Sequence, residues 1–193
     1  ALLMNEHDVF LIPTDVEEVD ITNLDEVENF VDKISPDIIV NCALKRDRQW
    51  CEDYPEEAFA LHALGARNLA IASNHTGAHL FYLSSDLVFD GSSTEPYKEF
   101  DPVNPANMYG KTKLAGEEFV KTLCPRHTIL RSSWMYGKRY LNEIIQTARS
   151  GQVTIEKNIV GTPTSSLEIA EMVISFFDTN QFGTFHISCE GEA

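Results

Sequence analysis

Two residues suited to proton transfer, Tyr109 and Lys113, lie four positions apart in the segment MYGKTKLAGE. On a helix this spacing places both side chains on one face, one turn apart. A phenol with a reference pKa of about 10 is a weak acid at neutral pH, and an ammonium group within roughly 4–6 Å would lower that pKa. The pair could therefore protonate a carbonyl oxygen as a hydride reaches its carbon. Because the same spacing also arises by chance, the pair alone leaves a structural interpretation open.

The segment around this pair is predicted to be a helix. Asn104 suits the N-cap position, and Pro105 suits the first helical position because its missing N–H costs nothing there. Alanine, leucine, lysine and glutamate, which favour helices, dominate the residues that follow. Since Pro125 cannot continue a helix, we expect the helix to end near Leu123.

Short apolar runs alternate with helical patterns along the rest of the chain. We predict strands at residues 9–12, 38–40, 80–83, 128–130 and 184–188, and helices at residues 1–6, 24–34, 56–73, 141–149 and 167–177. Short apolar strands that alternate with helices are typical of a parallel sheet covered on both faces. The predicted fold class is therefore α/β, with a Rossmann-like doubly wound parallel sheet.

The position of the first glycine bears on how this sheet begins. A dinucleotide-binding βαβ unit needs a glycine-rich turn after its first strand, where the backbone approaches the pyrophosphate. The first glycine here is Gly65, so we expect the first strand and its glycine turn to lie upstream of Ala1. The predicted domains are an N-terminally incomplete NAD(P)-binding domain at residues 1–136 and a mixed segment at residues 137–193. This segment would include part of a small substrate domain, C-terminally incomplete, and would partly return to the sheet.

Composition argues against several classes of partner. The 193 residues carry a formal net charge of -15, which would repel nucleic-acid phosphates. No apolar run approaches the roughly 20 residues that span a bilayer, so no membrane partner is expected. The cysteines and histidines form no metal-binding pattern, and we predict no metal site. Isolated cysteines and no visible secretory signal favour a cytoplasmic location.

Four motifs together carry a family resemblance: DIIVNCA, LSSDLVFDG, MYGKTKLAGE and RSSWMYG. With PTDVEEVDITN, VGTPTS and GTFH, they resemble the extended short-chain dehydrogenase/reductase superfamily, and within it the dTDP-4-dehydrorhamnose reductases. The resemblance covers nearly the whole chain. It implies reduction of a 4-keto nucleotide sugar with NADPH or NADH as the cofactor, and it is compatible with a homodimer.

The resemblance also implies a role for individual residues. Tyr109 would donate the proton, Lys113 would lower the phenol pKa and hold the nicotinamide ribose, and Ser85 would hydrogen-bond the C4 carbonyl. Asp86 and Trp134 would contact the nucleotide sugar. The cofactor would also contact residues that follow the second and third strands of such a fold, namely Asp15, Asp20, Ile21, Asn41, Cys42 and Ala43.

Some of these residues have a purely structural interpretation as well. Ser85 could cap a turn, and Trp134 could be a core aromatic residue. Asp15 and Asp20 could be ordinary loop carboxylates. The sequence leaves both interpretations open for each of them.

The chain departs from the family pattern at three places. Leu87 stands where tyrosine is common, His62 stands where asparagine is usual, and Lys45 and Arg46 replace a His-Thr or Tyr-Thr pair. These departures leave two alternatives. One is a non-catalytic NAD(P)-binding regulatory protein that resembles the methionine adenosyltransferase beta subunit. The other is a nucleotide-sugar epimerase or dehydratase.

Overall fold

Helices and parallel strands alternate along the chain in the computed structural model, which describes residues 9–151 and 160–191. A π-helical turn at Ala60–Leu64 joins the third and fourth helices. In chain order the elements are α1 (Leu24–Ile34), β1 (Ile38–Asn41), α2 (Arg48–Asp53), α3 (Pro55–Phe59), α4 (Gly65–Thr76), β2 (His79–Ser85), α5 (Met108–Leu123), β3 (His127–Ser132), β4 (Met135–Tyr136), α6 (Lys138–Arg149), β5 (Thr164–Ser165), α7 (Ser166–Ser175) and β6 (Gly183–His186).

The main sheet contains β1, β2, β3 and β6 in that order within the described residues, and all its neighbouring strands are parallel. A smaller parallel pair joins β4 to β5. In a parallel sheet the carboxyl ends of the strands meet at one edge, where ligands bind in open α/β folds. The residues that follow β1, β2 and β3 therefore gather at this carboxyl edge.

The core lies on both faces of the sheet because successive residues of a strand point to opposite sides. Leu80 and Tyr82 of β2 pack with helices α1, α4 and α5 on one face. Phe81 and Leu83 pack with α7 on the other face, against residues such as Ile169. A sheet covered on both faces is the arrangement that the apolar strands predict.

Most predicted elements are present, and one is not. Helix α1 has the predicted bounds, and the long helix predicted at residues 56–73 is a continuous run through α3, the π-helical turn and α4. The strand predicted at residues 9–12 is wrong, because no described strand lies beside this segment and Phe10 is 89% exposed. An apolar run forms a strand only with a partner. The helix predicted at residues 1–6 lies outside the described residues.

The start of α5 also differs from the prediction. The N-cap is Asn107, whose side-chain oxygen accepts a hydrogen bond from Gly110 N at 2.8 Å. Asn104 instead holds the preceding loop. Its backbone N–H donates to Val88 O at 3.0 Å, and its side-chain amide donates to Asp90 Oδ2 at 3.0 Å. The helix ends at Leu123, as expected.

Candidate active site

Tyr109 and Lys113 lie on the buried face of α5, one turn apart as predicted. The Lys113 amine lies 4.1 Å from the centroid of the Tyr82 ring on β2. The Tyr109 ring meets His62 edge-on, with 5.4 Å between ring centroids. The pair therefore faces the sheet and the π-helical turn, not solvent.

Two glycines allow α5 to approach β2 closely. A Cβ atom at Gly110 would overlap the carbonyl oxygen of Leu87, which lies in a short 3₁₀ turn directly after β2. A Cβ atom at Gly116 would overlap the Tyr82 hydroxyl. The absence of side chains at these positions brings the first turn of α5 against the end of β2, where Ser85 lies.

The end of β2 is tied to the end of β3 by a short chain of hydrogen bonds. Ser85 Oγ donates to Asp86 Oδ1 at 2.9 Å and accepts from Leu87 N at 3.2 Å, so this serine does cap the turn. Ser133 Oγ donates to the other carboxylate oxygen of Asp86 at 2.8 Å. Ser133 is not among the predicted site residues, although it lies in the RSSWMYG motif.

Burial dominates the electrostatics of the pair. It raises the pKa of Tyr109 to about 12, and the Asp86 carboxylate adds to the rise. It lowers the pKa of Lys113 to about 7, against the opposing effect of Glu117. Burial therefore sets the net direction of the phenol pKa, and the lowering effect expected of Lys113 stays a prediction. Desolvation disfavours the phenolate, and an amine with this pKa is only partly charged at neutral pH.

The residues after β1 lie at the same edge of the sheet. Asn41 is buried, and its side-chain oxygen accepts a hydrogen bond from Ala43 N at 3.0 Å. Cys42 is exposed as a residue, and its thiol lies near the Lys113 amine. Small side chains beside a buried amine could hold a cofactor ribose, which needs close approach and hydrogen-bonding groups.

The N-terminal candidates make local contacts only among the described hydrogen bonds. Asp15 is exposed, and its Oδ1 accepts from Val16 N at 2.7 Å. Asp20 Oδ1 accepts from both the backbone N–H and the hydroxyl of Thr22, at 2.9 and 2.8 Å. The structure thus places these carboxylates in turns and does not link them to Tyr109 or Lys113.

Ile21, in contrast, is anchored to α4. Its carbonyl oxygen accepts from Asn68 Nδ2 at 2.9 Å, and its side chain packs against Gly65 at the start of that helix. This contact fixes the segment that the resemblance assigns to the adenine pocket.

Trp134 follows β3 in a backbone conformation that is rare for a residue with a side chain. Its φ is 37°, in the left-handed region, and 44% of the residue is exposed. Gly161 lies against the indole, since a Cβ atom there would be 2.7 Å from Trp134 Cε2. This degree of exposure does not suit a core aromatic residue, and strained residues of this kind cluster at functional sites.

Among the described residues, no group of side chains has the composition and proximity needed to hold a metal ion. No helix within the described ranges is long and apolar enough to cross a bilayer.

Comparison with known proteins now decides the family. The family model described as the RmlD substrate binding domain matches residues 2–193. The chain belongs to this family. The resemblance to the extended short-chain dehydrogenases and the Rossmann-like fold class are thereby confirmed.

Several relatives are reductases by name. A dTDP-4-dehydrorhamnose reductase from Sinorhizobium fredii is 38% identical over 170 residues, which cover 82% of this chain and 57% of that protein. A crystal structure of a Clostridium acetobutylicum dTDP-4-dehydrorhamnose reductase has a TM-score of 0.93 at 39% identity, covering 99% of this chain and 69% of that one. A Bacillus anthracis dTDP-4-dehydrorhamnose reductase, in complex with NADP, has a TM-score of 0.90 at 35% identity, covering 97% and 69%. The chain spans about half to two-thirds of the length of the curated relatives it matches.

Proposed function

We propose that this protein is an oxidoreductase that reduces the C4 carbonyl of a 4-keto nucleotide sugar, converting dTDP-4-dehydrorhamnose to dTDP-L-rhamnose with NADPH or NADH. The observation that carries the proposal is the close approach of α5 to β2: Gly110, next to Tyr109, lies against the turn that Ser85 caps, and Lys113 lies one helical turn further on, over the Tyr82 ring. Relatives named dTDP-4-dehydrorhamnose reductase support the substrate class, and the NADP complex of the Bacillus anthracis protein supports the cofactor.

The reaction needs a proton at the carbonyl oxygen, and Tyr109 would supply it. The bound cofactor supplies the hydride. With a pKa of about 12, the phenol is protonated at neutral pH. The alkoxide that forms at C4 is a far stronger base than a phenolate, so the proton transfer is favourable. Ser85 would orient the oxygen by turning its hydroxyl hydrogen from Asp86 toward the substrate.

The remaining candidate residues would bind and orient the cofactor and the nucleotide sugar. Lys113 would hold the ribose of the cofactor, and the half-exposed indole of Trp134 suits a sugar or thymine face. Asp86 would approach the sugar. Residues assigned to the rest of the cofactor are Asp15, Asp20, Ile21, Asn41, Cys42 and Ala43.

We also propose the division into a cofactor-binding part at residues 1–136 and a mixed segment at residues 137–193. The chain order of the strands supports it, because the chain leaves the main sheet at β4, which ends at the proposed boundary and pairs with β5, and then returns to the main sheet at β6. A cytoplasmic location is part of the same proposal, and a homodimer stays a prediction from the resemblance.

The experiment measures NADPH oxidation by the full-length protein when it is given dTDP-4-dehydrorhamnose. We expect Tyr109→Phe to abolish turnover and to keep NADPH binding, measured by fluorescence titration. Tyr97→Phe is the matched control, because it removes the hydroxyl of a half-buried tyrosine that donates to Asp90 in a surface loop. The control should turn over like the wild type.

Three results would contradict the proposal. Undiminished oxidation by Tyr109→Phe would refute the role of the phenol. Binding of NADPH without turnover by the wild type would favour a regulatory protein. Isomerised or dehydrated sugar without net NADPH oxidation would favour an epimerase or dehydratase.

A further inference from the structure

His62 lies in the middle of the π-helical turn and is 1% exposed. Its ring connects two segments that are distant in sequence. Nε2 accepts a hydrogen bond from Lys45 N at 3.0 Å, in the loop after β1. Nδ1 lies 2.9 Å from Thr112 Oγ1 on α5. Short π-helical insertions occur frequently at functional sites.

The hydrogen bonds around His62 fix its tautomer. The Lys45 backbone N–H can only donate, so Nε2 must be the acceptor. The Thr112 hydroxyl donates to Tyr109 O at 2.9 Å, so it receives its own hydrogen bond from Nδ1–H. Burial lowers the pKa of His62 to about 4, which keeps the ring neutral, as this pattern requires. A chain of two hydrogen bonds therefore runs from the ring, through the Thr112 hydroxyl, to the backbone carbonyl of Tyr109.

A second set of contacts begins at the backbone carbonyl of His62. The Tyr82 hydroxyl lies 3.1 Å from the carbonyl oxygen of His62 and 3.3 Å from that of Lys113. The Tyr82 ring in turn carries the Lys113 amine on its face. Thus one residue of the π-helical turn is connected to the helical turns of both Tyr109 and Lys113.

We propose that His62 is a positioning residue that couples the loop after β1 to the helical turn that carries Tyr109. Its Nδ1–H donates to the Thr112 hydroxyl, which in turn donates to the Tyr109 carbonyl oxygen, and this chain fixes the position of Tyr109 on α5. Its Nε2 holds the Lys45 backbone, and with it the loop that also contains the cofactor candidates Cys42 and Ala43. This inference rests on the proposed function. The contact of Nδ1 with Thr112 would affect turnover, and the contact of Nε2 with Lys45 would affect cofactor affinity.

Two substitutions separate the two nitrogens. The side-chain amide of His62→Asn can occupy the place of Nδ1, and that of His62→Gln can occupy the place of Nε2. In the full-length protein we expect His62→Asn to keep kcat within about twofold and to raise the NADPH Kd by about three- to tenfold. We expect His62→Gln to lower kcat by a similar factor and to keep the Kd. Such factors correspond to one lost hydrogen bond.

His79→Gln is the matched control. His79 is also buried, and burial also lowers its pKa to about 4, yet it contacts Thr128 and the rings of Phe81 and Phe182, on the side away from α5. This variant should lower the melting temperature and leave both kcat and Kd unchanged. If both His62 variants instead change kcat and Kd by the same factors, or only lower the melting temperature as the control does, the proposal is wrong.

The tautomer gives a readout that does not depend on turnover. Long-range ¹H–¹⁵N spectra of the imidazole should show His62 protonated at Nδ1, and a ring protonated at Nε2 would overturn the proposal. A wild-type protein that binds NADPH but does not oxidise it would refute the reductase function alone. The Kd of the two variants and the tautomer would then still decide the role of His62.

Discussion

Removal of the Lys113 amine is expected to stabilise the fold while it ends turnover. Burial lowers the pKa of Lys113 from 10.5 to about 7. Since each pKa unit corresponds to about 1.4 kcal/mol, the buried amine costs roughly 4–5 kcal/mol of stability at neutral pH. Lys113→Met removes this cost but also removes the contact with the Tyr82 ring, which is worth up to about 2 kcal/mol. We therefore expect a net gain of about 2–3 kcal/mol at pH 7.

The pH dependence makes this expectation specific. Between the folded and unfolded pKa values, the unfolded chain keeps a proton on Lys113 that the folded chain has released. The stability of the wild type therefore rises with pH across this window, by about 1.4 kcal/mol per pH unit. The Met variant lacks this contribution. The difference in stability between the two proteins should shrink steadily as the pH is raised from 7 toward 10.

Urea unfolding followed by circular dichroism, at several pH values in this window, measures the difference. The control is Lys111→Met, which removes an exposed lysine from the same helix and should give a small difference that does not depend on pH. A Lys113→Met variant that is less stable than the wild type at pH 7 would refute the reasoning. So would a stability difference that stays constant with pH.

Three further variants or conditions test the packing around the site. Gly110→Ala places a methyl group on the Leu87 carbonyl oxygen, and we expect a loss of about 1–3 kcal/mol in urea unfolding together with reduced turnover. Arg131→Met removes the two hydrogen bonds, at 2.8 and 2.7 Å, that the guanidinium donates to the buried Glu117 carboxylate. We expect the free energy of unfolding to fall by about 3–5 kcal/mol. Adding Glu117→Gln should restore part of this loss. The folded pKa of His79, about 4, lies below its unfolded value, so the unfolded chain takes up a proton first as the pH falls. The free energy of unfolding should therefore fall by about 3 kcal/mol between about pH 6.5 and pH 4. A urea midpoint unchanged between about pH 7 and 4.5 would contradict this.

The sequence predicts elements well where local pattern and packing agree. Helix α1 follows its apolar spacing, and its N-cap Asn23 accepts a hydrogen bond from Glu26 N as a cap should. The start of α5 is harder, because Asn104 and Asn107 are both good caps. Contacts of Asn104 with residues 88 and 90 decide between them, and no local pattern contains those contacts.

Some features of the candidate site also follow from local sequence, whereas others depend on the tertiary fold. The positions of Tyr109 and Lys113 follow from helical spacing, but their pKa values depend on burial that the spacing does not contain. The contact of His62 with Thr112 joins residues 50 positions apart, so only the tertiary fold produces it. The one signal in the sequence is that histidine replaces the asparagine that is usual there in the family.

The close approach of α5 to β2 limits how the surroundings of Tyr109 could be redesigned. Libraries that vary α5 should leave Gly110 and Gly116 unchanged, because any larger residue would push the helix off the strand. Leu87 offers a freer position. Its backbone carbonyl lies against Gly110, and its side chain is half-buried beside the cluster that contains Tyr109. A change of that side chain would alter the surroundings of Tyr109 while the helix kept its place.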